Sequence, residues 1–307
     1  MLQHALLLVN PHSRNGQAEE LDGAIALLRA SGFEVNVVVT QSHTDMLTEI
    51  TNYRRDDGIV IIAGGDGTIS SALESIYQQQ CTLAILPLGT ANDLARSVGV
   101  PQELDGAAQL IIEGKRERIS LARVNNKLFV NVAHIGLGVD VTHELTPDSK
   151  KHFGVFAYLG AFISAFKRNK SFRVNIKADG WHCSVRAIHL AVGNGRFYGG
   201  GNVVDDASTL LDGQLNLFCI KPHRWWQLLL LGPSLRTGKL KTAQRVICKT
   251  ASSFSVQTTK PIQLEADGEF KTNTPAEFTV MPQAIEMIVG NLPVPDKDEY
   301  GDNTQRQ

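Results

Sequence analysis

The chain has 307 residues, of which 43% are hydrophobic, so it is long enough to build two cores. Lys and Arg number 30 against 31 for Asp and Glu, which leaves no long-range field to concentrate nucleic acid. The four cysteines form no CxxC pair, which argues against a zinc ribbon and a disulfide framework. No apolar run reaches the ~18 residues that span a bilayer. We therefore expect a cytoplasmic protein, soluble or peripheral at a membrane, with no nucleic-acid partner.

Buried strands and amphipathic helices alternate over the first part of the chain. The predicted strands are Ala5–Val9, Val35–Val39, Gly58–Ala63 and Leu83–Pro87. The predicted helices are Glu19–Arg29, Thr44–Tyr53 and Ile69–Tyr77. Strands that are apolar throughout are typical of parallel sheets covered on both faces. We expect an α/β domain with a doubly wound parallel sheet over residues 1–122.

The pattern then changes to shorter, alternating strands. These are predicted at Lys127–Val132, Phe172–Ala178, Ser184–Gly193, Leu215–Ile220, Phe254–Thr258, Ile262–Ala266 and Phe278–Met281. Two predicted helices, Phe153–Phe166 and Arg224–Leu231, interrupt them. This pattern favours a mainly antiparallel β-sandwich over residues 123–294. The polar tail, residues 295–307, is predicted to be disordered.

A glycine-rich loop follows the third predicted strand, where Gly64 to Thr68 read Gly-Gly-Asp-Gly-Thr. Glycines let backbone N–H groups approach an anion, and the next helix adds the partial positive charge of its N-terminus. The alternative is a tight strand-to-helix turn without a ligand. Asp66 favours phosphoryl-transfer chemistry, because an acid beside a phosphate implies an intervening Mg²⁺ or a proton to be removed.

A second loop follows the next strand, and Pro87 to Asp93 read Pro-Leu-Gly-Thr-Ala-Asn-Asp. Ligands of open α/β sheets bind at the carboxyl ends of the strands, where this loop is predicted to lie. Asn92 or Asp93 has an alternative role as the cap of the following helix.

These two loops, with the opening Asn10 to Gly16 (Asn-Pro-His-Ser-Arg-Asn-Gly), resemble the lipid kinase family of diacylglycerol, sphingosine and ceramide kinases and their bacterial diacylglycerol-kinase-type relatives. The resemblance covers almost the whole chain. It implies a phosphofructokinase-like nucleotide fold, ATP and Mg²⁺ as cofactors, and a membrane lipid as substrate. The implied nucleotide contacts are Asn10, Pro11, His12, Ser13, Arg14, Thr40, Gly64, Gly65, Asp66, Gly67, Thr68, Ile69, Ser70, Ser71, Thr90, Asn92 and Asp93.

Asp267, Gly268 and Glu269 resemble the same family's late Asp-Gly-Glu motif. The resemblance implies that Glu269 is the general base toward the lipid hydroxyl, with Asp267 beside it in the catalytic set. Such a base must lie within hydrogen-bond reach of the hydroxyl. Asp66 is a rival for this role. The alternative for the motif is a solvent-exposed Asp-Gly hairpin turn.

The segment Thr209 to Gln214 resembles a bacterial loop that holds Mg²⁺ through one Asp side chain and flanking carbonyls. The implied ligands are Thr209, Asp212 and Gln214, since hard oxygen ligands suit Mg²⁺. A hairpin turn is the alternative.

Seven Lys or Arg residues and no Asp or Glu lie between Lys221 and Lys249, beside Trp225 and Trp226. A basic segment of this kind suits docking on the inner face of an anionic membrane, at roughly 1 kcal/mol per basic residue near the surface. A core-packed helix with a solvated basic face is the alternative. Exposed sheet edges would allow a homodimer.

Two departures from the family bear on catalysis. Ser120 stands where the family usually has Asp, and Ser70 and Ser71 replace a common Asn-Glu pair. They leave open a nucleotide- and lipid-binding protein with lost or weak catalysis. A nicotinamide-dinucleotide kinase is a further alternative, because such enzymes also use a Gly-Gly-Asp-Gly loop. The sequence does not identify the acceptor lipid.

Overall fold

A computed structural model describes residues 3–11, 18–53, 58–136, 171–195, 197–198, 202–203, 208–222 and 246–292. The helices are α1 (Ala18–Ala30), α2 (His43–Asn52), α3 (Asp66–Gln79), α4 (Asp93–Ser97) and α5 (Leu104–Glu113). The strands before residue 137 are β1 (Gln3–Val9), β2 (Phe33–Val39), β3 (Ile59–Gly64), β4 (Thr82–Pro87), β5 (Arg116–Val124), β6 (Lys127–Phe129) and β7 (Val132–Gly136). The later strands are β8 (Phe172–Ala178), β9 (Trp181–Ala187), β10 (His189–Gly193), β11 (Phe197–Tyr198), β12 (Asn202–Val203), β13 (Leu215–Ile220), β14 (Val246–Ala251), β15 (Ser253–Thr258), β16 (Gln263–Ala266), β17 (Glu269–Asn273) and β18 (Ala276–Ile288). Within the described ranges, no helix has the length and apolar character needed to cross a membrane.

The first half of the chain forms a parallel sheet with the strand order β2, β1, β3, β4. Strands β3 and β4 are buried along their whole length, as expected for strands covered on both faces. Helix α1 packs against α5, and α2 packs against α3. The chain moves outward from β1 to β2 and returns to β3 on the other side of β1, which places helices on both faces. The predicted α/β fold with its parallel strands is confirmed.

Strand β18 extends this parallel sheet into the sandwich. It pairs parallel with β4 near its end and antiparallel with β15 near its start, while β5 pairs with both parts. The register with β5 shifts between Met281 and Ile285. Within this bulge Gln283 has a φ of 52°, and Arg118 donates to its carbonyl oxygen at 2.9 Å. One ten-stranded sheet therefore runs through both predicted domains, whose boundaries stay predictions.

The second sheet has the strand order β14, β13, β10, β7, β16, β17, and all its pairs are antiparallel. Its apolar side chains meet those of β8, β15 and the first part of β18 in a core of their own. Phe129, Phe254 and Phe278 are among the largest fully buried side chains there. The predicted antiparallel β-sandwich is confirmed.

Two predicted strands were wrong, because each is two strands in different sheets. The predicted strand at 127–132 divides into β6 and β7 where the chain crosses between sheets at Val130 and Asn131. The predicted strand at 184–193 divides into β9 and β10 at Ile188. All three crossing residues are buried, so the apolar pattern does not mark the break. Strands β5, β11, β12, β14 and β17 and helix α5 were missed. The predicted helices at 153–166 and 224–231 and the tail at 295–307 lie outside the described residues.

Candidate active site

Two loops meet at the carboxyl ends of the adjacent parallel strands β3 and β4. The backbone N–H of Leu88 donates to the carbonyl oxygen of Gly64 at 3.2 Å. A Cβ on Gly89 would lie 2.6 Å from the Cα of Gly65 and 2.5 Å from Oδ1 of Asn92. Both distances are too short for a real side chain, so the approach of the two loops requires glycine at this position.

Asp66 ties the two loops together from the first turn of α3. Its Oδ2 accepts the backbone N–H of Asp93 at 3.0 Å, and its Oδ1 accepts that of Leu94 at 3.0 Å. These N–H groups open α4 and have no acceptor within that helix, so the carboxylate satisfies them and complements the helix dipole. Nδ2 of Asn131 approaches Oδ1 at 3.4 Å. Both carboxylate oxygens of Asp66 therefore have protein donors.

Asn92 shapes the second loop. It has a φ of 50°, its Oδ1 accepts the N–H of Gly89 at 3.0 Å, and its Nδ2 donates to the Gly89 carbonyl at 3.0 Å. Asp93 is buried, and Thr90 is exposed on the loop. Asn92 occupies the N-cap position of α4, as the alternative prediction stated, but its side chain makes no capping hydrogen bond. The carboxylate that accepts the first N–H groups of the helix belongs to Asp66.

A pocket of about 470 Å³ opens beside the glycine loop. The predicted nucleotide contacts that line it are Asn10, Thr40, Gly65, Gly67, Thr68 and Ser71, and the predicted base Glu269 lines it as well. Nδ2 of Asn10 donates to Oγ1 of Thr68 at 2.9 Å, which connects the end of β1 to α3. Oγ1 of Thr40 donates to the carbonyl of Val9 at 3.3 Å. The ends of β1, β2 and β3 thus form one polar pocket.

Sequence reasoning missed one wall of this pocket. Gln41, Ser42, His43 and Met46 line it at the start of α2. Oγ of Ser42 accepts the N–H of Asp45 at 3.1 Å, which caps the helix. A serine followed three residues later by an acid is a helix-start signal that would have placed a second helix N-terminus here.

The other predicted nucleotide contacts are distributed differently. Gly64 ends the buried strand β3, and the side chain of Ile69 lies in the hydrophobic core with its N–H donating to the Gly65 carbonyl at 3.1 Å. Pro11 is exposed. His12, Ser13 and Arg14 lie outside the described residues. The nucleotide roles of these residues stay predictions.

The Asp-Gly-Glu motif forms a two-residue hairpin loop between β16 and β17. Asp267 and Gly268 have φ values of 50° and 82°, as a type I′ turn requires. The Asp267 carboxylate points inward and accepts the backbone N–H groups of residues 130, 131 and 132 at 2.9, 2.9 and 3.1 Å. Oγ of Ser70 donates to it at 3.2 Å. Burial raises the pKa of Asp267, against the three backbone donors and Lys271, which lower it. The turn was predicted, but its solvent exposure was wrong for the Asp267 carboxylate.

Glu269 faces the pocket directly after this turn. Its Oε1 accepts a hydrogen bond from Oγ of Ser71 at 3.2 Å, and its Oε2 accepts one from Nζ of Lys271 at 2.9 Å. The Glu269 side chain is 46% exposed, whereas that of Lys271 is 12% exposed. The hairpin thus brings the Glu269 carboxylate to the wall of the pocket, while Ser70 and Ser71 of α3 donate to Asp267 and Glu269. Lys271 was missed, and its sequence context gave no signal.

The predicted Mg²⁺ loop is a compact turn around Asp212. Its carboxylate accepts the N–H of Thr209 at 2.9 Å and that of Gln214 at 2.8 Å. Across the described part of the chain, no group of three or more His, Cys, Asp or Glu side chains is arranged to hold a metal ion. The geometry fits the alternative of a turn, and the metal role of the three residues stays a prediction.

Ser120, on β5, is buried. Its N–H donates to the carbonyl of Leu210 at 2.7 Å, and its carbonyl accepts Nδ2 of Asn194 at 2.9 Å. Asn194 also donates to the carbonyl of Val130 at 3.1 Å. The backbone of Ser120 therefore connects the loop before Asp212 to the crossing segment that holds Asp267.

Family models cover both parts of this arrangement. The model described as the diacylglycerol kinase catalytic domain matches residues 4–124, and the YegS C-terminal NAD kinase beta sandwich-like domain matches residues 133–289. The fold and the site thus define a protein of the diacylglycerol-kinase type, in which a parallel sheet supplies two glycine-containing loops and a sandwich supplies the carboxylate of Glu269.

Known relatives and solved structures are similar to this protein over nearly its whole chain. "Probable lipid kinase YegS-like" of Klebsiella pneumoniae is 36% identical over 92% of this chain and 94% of its own length. The diacylglycerol kinase of Staphylococcus aureus strain MRSA252 is 27% identical over 95% of this chain and 94% of its own. A solved diacylglycerol kinase chain from Bacillus anthracis superimposes with a TM-score of 0.73 at 22% identity, over 95% of this chain and 98% of that one. A second solved chain from that organism gives a TM-score of 0.80 at 26% identity, over 95% and 97%. This chain belongs to the YegS-like lipid kinase family.

Proposed function

We propose that the protein transfers the γ-phosphoryl group of ATP to a hydroxyl of a membrane lipid. The observation that carries this proposal is the position of Glu269, which lines the same pocket as the glycine loop. A phosphoryl-transfer site needs phosphate-binding groups on one side and a proton acceptor for the attacking hydroxyl on the other. The pocket offers both.

The glycine loop supplies the phosphate-binding groups. Gly65 and Gly67 line the pocket, and they are the N-cap and the second residue of the 14-residue helix α3. The N–H groups of this first helical turn would be the donors to phosphate. Gly89 allows the second loop to support this backbone closely. These fixed donors would favour the charge on ATP phosphates without reorganisation during transfer.

A bound Mg²⁺ would supply positive charge that neutralises the phosphates. Asp212 is the one carboxylate of the predicted Mg²⁺ loop, and both its oxygens accept a backbone N–H. A Mg²⁺ held there would therefore use carbonyl oxygens of Thr209 and Gln214 as well. Within the pocket wall the described carboxylate is Glu269 alone, so phosphate oxygens would provide most ligands of a Mg²⁺ bound with ATP.

Glu269 is better suited than Asp66 to accept the proton. Both oxygens of Asp66 accept backbone N–H groups of α4, and moving this carboxylate would leave those donors unsatisfied. Glu269 is half exposed at the pocket and keeps lone pairs for an incoming hydroxyl. Asp66 in this proposal holds the loops, and Asp267 holds the hairpin.

The acceptor would be presented at a membrane surface, on the cytoplasmic side. The basic segment predicted to dock there, Lys221 to Lys249, lies mostly outside the described residues. Diacylglycerol and phosphatidylglycerol are the acceptors to test first, since the Staphylococcus aureus relative is named a diacylglycerol kinase. A homodimer also stays a proposal, which the mass in solution would test.

The test is transfer of labelled phosphate from ATP to lipids in mixed micelles with Mg²⁺, comparing wild type with Glu269→Gln. We expect one lipid to be labelled and Glu269→Gln to lower kcat by roughly 10²–10⁴-fold, the usual contribution of a general base. ATP affinity should change little, because glutamine keeps the shape of the side chain. Glu277→Gln is the matched control, since Glu277 is an exposed glutamate on the sandwich surface.

Three results would contradict the proposal. ATP binding without labelling of any lipid would favour a binding protein. Labelling of nicotinamide dinucleotide instead of lipid would favour the soluble-acceptor alternative. An unchanged kcat for Glu269→Gln would remove Glu269 from the role of base.

A further inference from the structure

The Glu269 carboxylate is held at both oxygens by side chains from two different elements. Ser71 of α3 donates to Oε1 at 3.2 Å, and Lys271 of β17 donates to Oε2 at 2.9 Å. Glu269 is the first residue of an edge strand and is 46% exposed, so its side chain would otherwise sample several rotamers. Two contacts from opposite sides restrict it to one orientation.

Ser71 and Lys271 occupy different positions relative to the pocket. Among the described residues, the pocket wall includes Ser71 and Glu269 but not Lys271. The Lys271 side chain is only 12% exposed, and its charge also acts on Asp267. Lys271 therefore lies behind Glu269, where an ammonium group orients the carboxylate without occupying the space of the substrates.

The Ser71 hydroxyl has one proton and two neighbouring acceptors. Its Oγ lies 2.8 Å from the carbonyl of Gly67 and 3.2 Å from Oε1 of Glu269. When Glu269 is ionised, the hydroxyl donates to the carboxylate. When Glu269 is protonated, the new acid O–H donates to Oγ, and the serine proton turns to the Gly67 carbonyl. Both protonation states are hydrogen-bonded without movement of heavy atoms.

We propose that Ser71 and Lys271 are positioning residues that keep the Glu269 carboxylate oriented toward the acceptor hydroxyl, both when Glu269 is ionised and when it is protonated. This inference rests on the proposed function. In the transfer step the lipid O–H bond breaks and its proton passes to Glu269. The lipid oxygen bonds to the γ-phosphorus, and the bond from that phosphorus to the bridging oxygen of ADP breaks. Ser71 and Lys271 act through Glu269 and gain or lose no covalent bond.

The experiment measures kcat and KM for ATP in Ser71→Ala, Ser71→Thr, Lys271→Met and Lys271→Arg. A hydrogen bond to a charged group contributes about 1.5–3 kcal/mol, so Ser71→Ala and Lys271→Met should each lower kcat about 10-fold to 100-fold. KM for ATP should stay within about 2-fold in Lys271→Met, since Lys271 lies outside the pocket wall and a role through Glu269 affects the chemical step. Threonine and arginine keep the donors and should restore most of kcat.

A double-mutant cycle with Glu269→Gln separates positioning from other roles. Ser71→Ala combined with Glu269→Gln should cost no more than Glu269→Gln alone. Ser255→Ala is the matched control: it removes the hydrogen bond, 2.6 Å long, that Ser255 donates to Glu277 on the sandwich surface, and kcat should not change. Melting temperatures of all variants identify losses caused by unfolding.

The outcomes distinguish the two proposals. If wild type labels no lipid, the proposed function fails. If wild type labels a lipid and Ser71→Ala and Lys271→Met keep its kcat, the positioning role alone is overturned. Additive losses in the cycle, or a rise in KM without a fall in kcat, would also overturn it.

Discussion

The glycine-loop region (residues 64–68) and the Asp-Gly-Glu hairpin (residues 267–269) both contain an aspartate that accepts backbone N–H groups, but they contribute different groups to the pocket. In the first, Asp66 accepts two backbone N–H groups of α4. In the second, Asp267 accepts three backbone N–H groups of residues 130–132. The glycine-loop region lines the pocket with the first turn of α3, whereas the hairpin lines it with Glu269. In both, the aspartate carboxylate anchors backbone N–H groups, and residues beside it line the pocket.

The two anchors differ in what they hold. Asp66 fixes one loop against another at the edge of a single sheet, over 27 residues of sequence. Asp267 fixes the point where the chain crosses from the first sheet to the second, over 137 residues. The hairpin anchor therefore contributes to the whole sandwich, and we expect the sandwich to be the region more sensitive to changes of charge.

Lowering the pH should have the largest effect on the stability of the sandwich. The two buried histidines of the described residues, His134 and His189, both lie on the second sheet. Burial lowers the pKa of His134 to about 4, and burial followed by the nearby His134 lowers the pKa of His189 to about 3. A folded-state pKa below the unfolded value near ~6.5 means full stability above that pH and loss of stability as the pH falls toward 4. We expect a loss on the order of 5 kcal/mol between pH 7 and 4.5.

Urea denaturation at several pH values measures this effect. His189→Gln should reduce the slope of stability against pH below 6.5, because it removes one group that must be buried neutral. His182→Gln, on an exposed position of β9, is the control and should leave the slope unchanged. An unaltered slope in His189→Gln would show that other groups cause acid unfolding.

Removing the hairpin anchor should have the next largest effect. Asp267→Ala leaves three buried N–H groups without an acceptor and places alanine at positive φ, so we expect a loss of about 3–5 kcal/mol. Asp66→Ala removes a helix cap and should cost about 1–2 kcal/mol. Unfolding free energies from urea titration compare the two. The chain supplies a control in Asp179, which occupies an exposed Asp-Gly turn between β8 and β9. Equal losses in Asp179→Ala and Asp267→Ala would mean that turn propensity, and not the inward carboxylate, is what matters.

The comparison of Asp179 with Asp267 also shows which features of the candidate site could be predicted from the sequence. The Asp-Gly pairs at 179, 212 and 267 carry the same two residues, and only the resemblance to a family assigned roles to the last two. The glycine loops were predictable because the close approach of two backbone segments requires glycine, which is visible in the local sequence. The partners of Ser70 and Ser71 lie 197 and 198 residues away, and no local pattern encodes such contacts.

The same reasoning explains the strands that were missed or merged. Residues at the two crossings between sheets are as buried as strand interiors, so hydrophobic periodicity continues through them. Strand β18 joins both regions through a bulge, where Arg118 donates to the carbonyl of Gln283. This contact forms only in the assembled sheet, so the local sequence does not indicate it. Local propensity thus predicted the parallel sheet well and the connection to the sandwich poorly.

The smallest expected difference in stability is between substitutions of one glycine from each region. A Cβ on Gly89 would clash with the backbone of Gly65, which cannot move without displacing the glycine loop. A Cβ on Gly268 would meet nothing within 4 Å, and only its φ of 82° opposes substitution. We expect Gly89→Ala to cost about 2–3 kcal/mol and to lower ATP affinity, and Gly268→Ala to cost about 1 kcal/mol with affinity unchanged. Urea titration and calorimetric ATP binding measure both quantities. If Gly268→Ala weakened ATP binding as much as Gly89→Ala, the hairpin backbone would be part of the nucleotide site, and the division between a phosphate-binding region and a proton-accepting region would not hold.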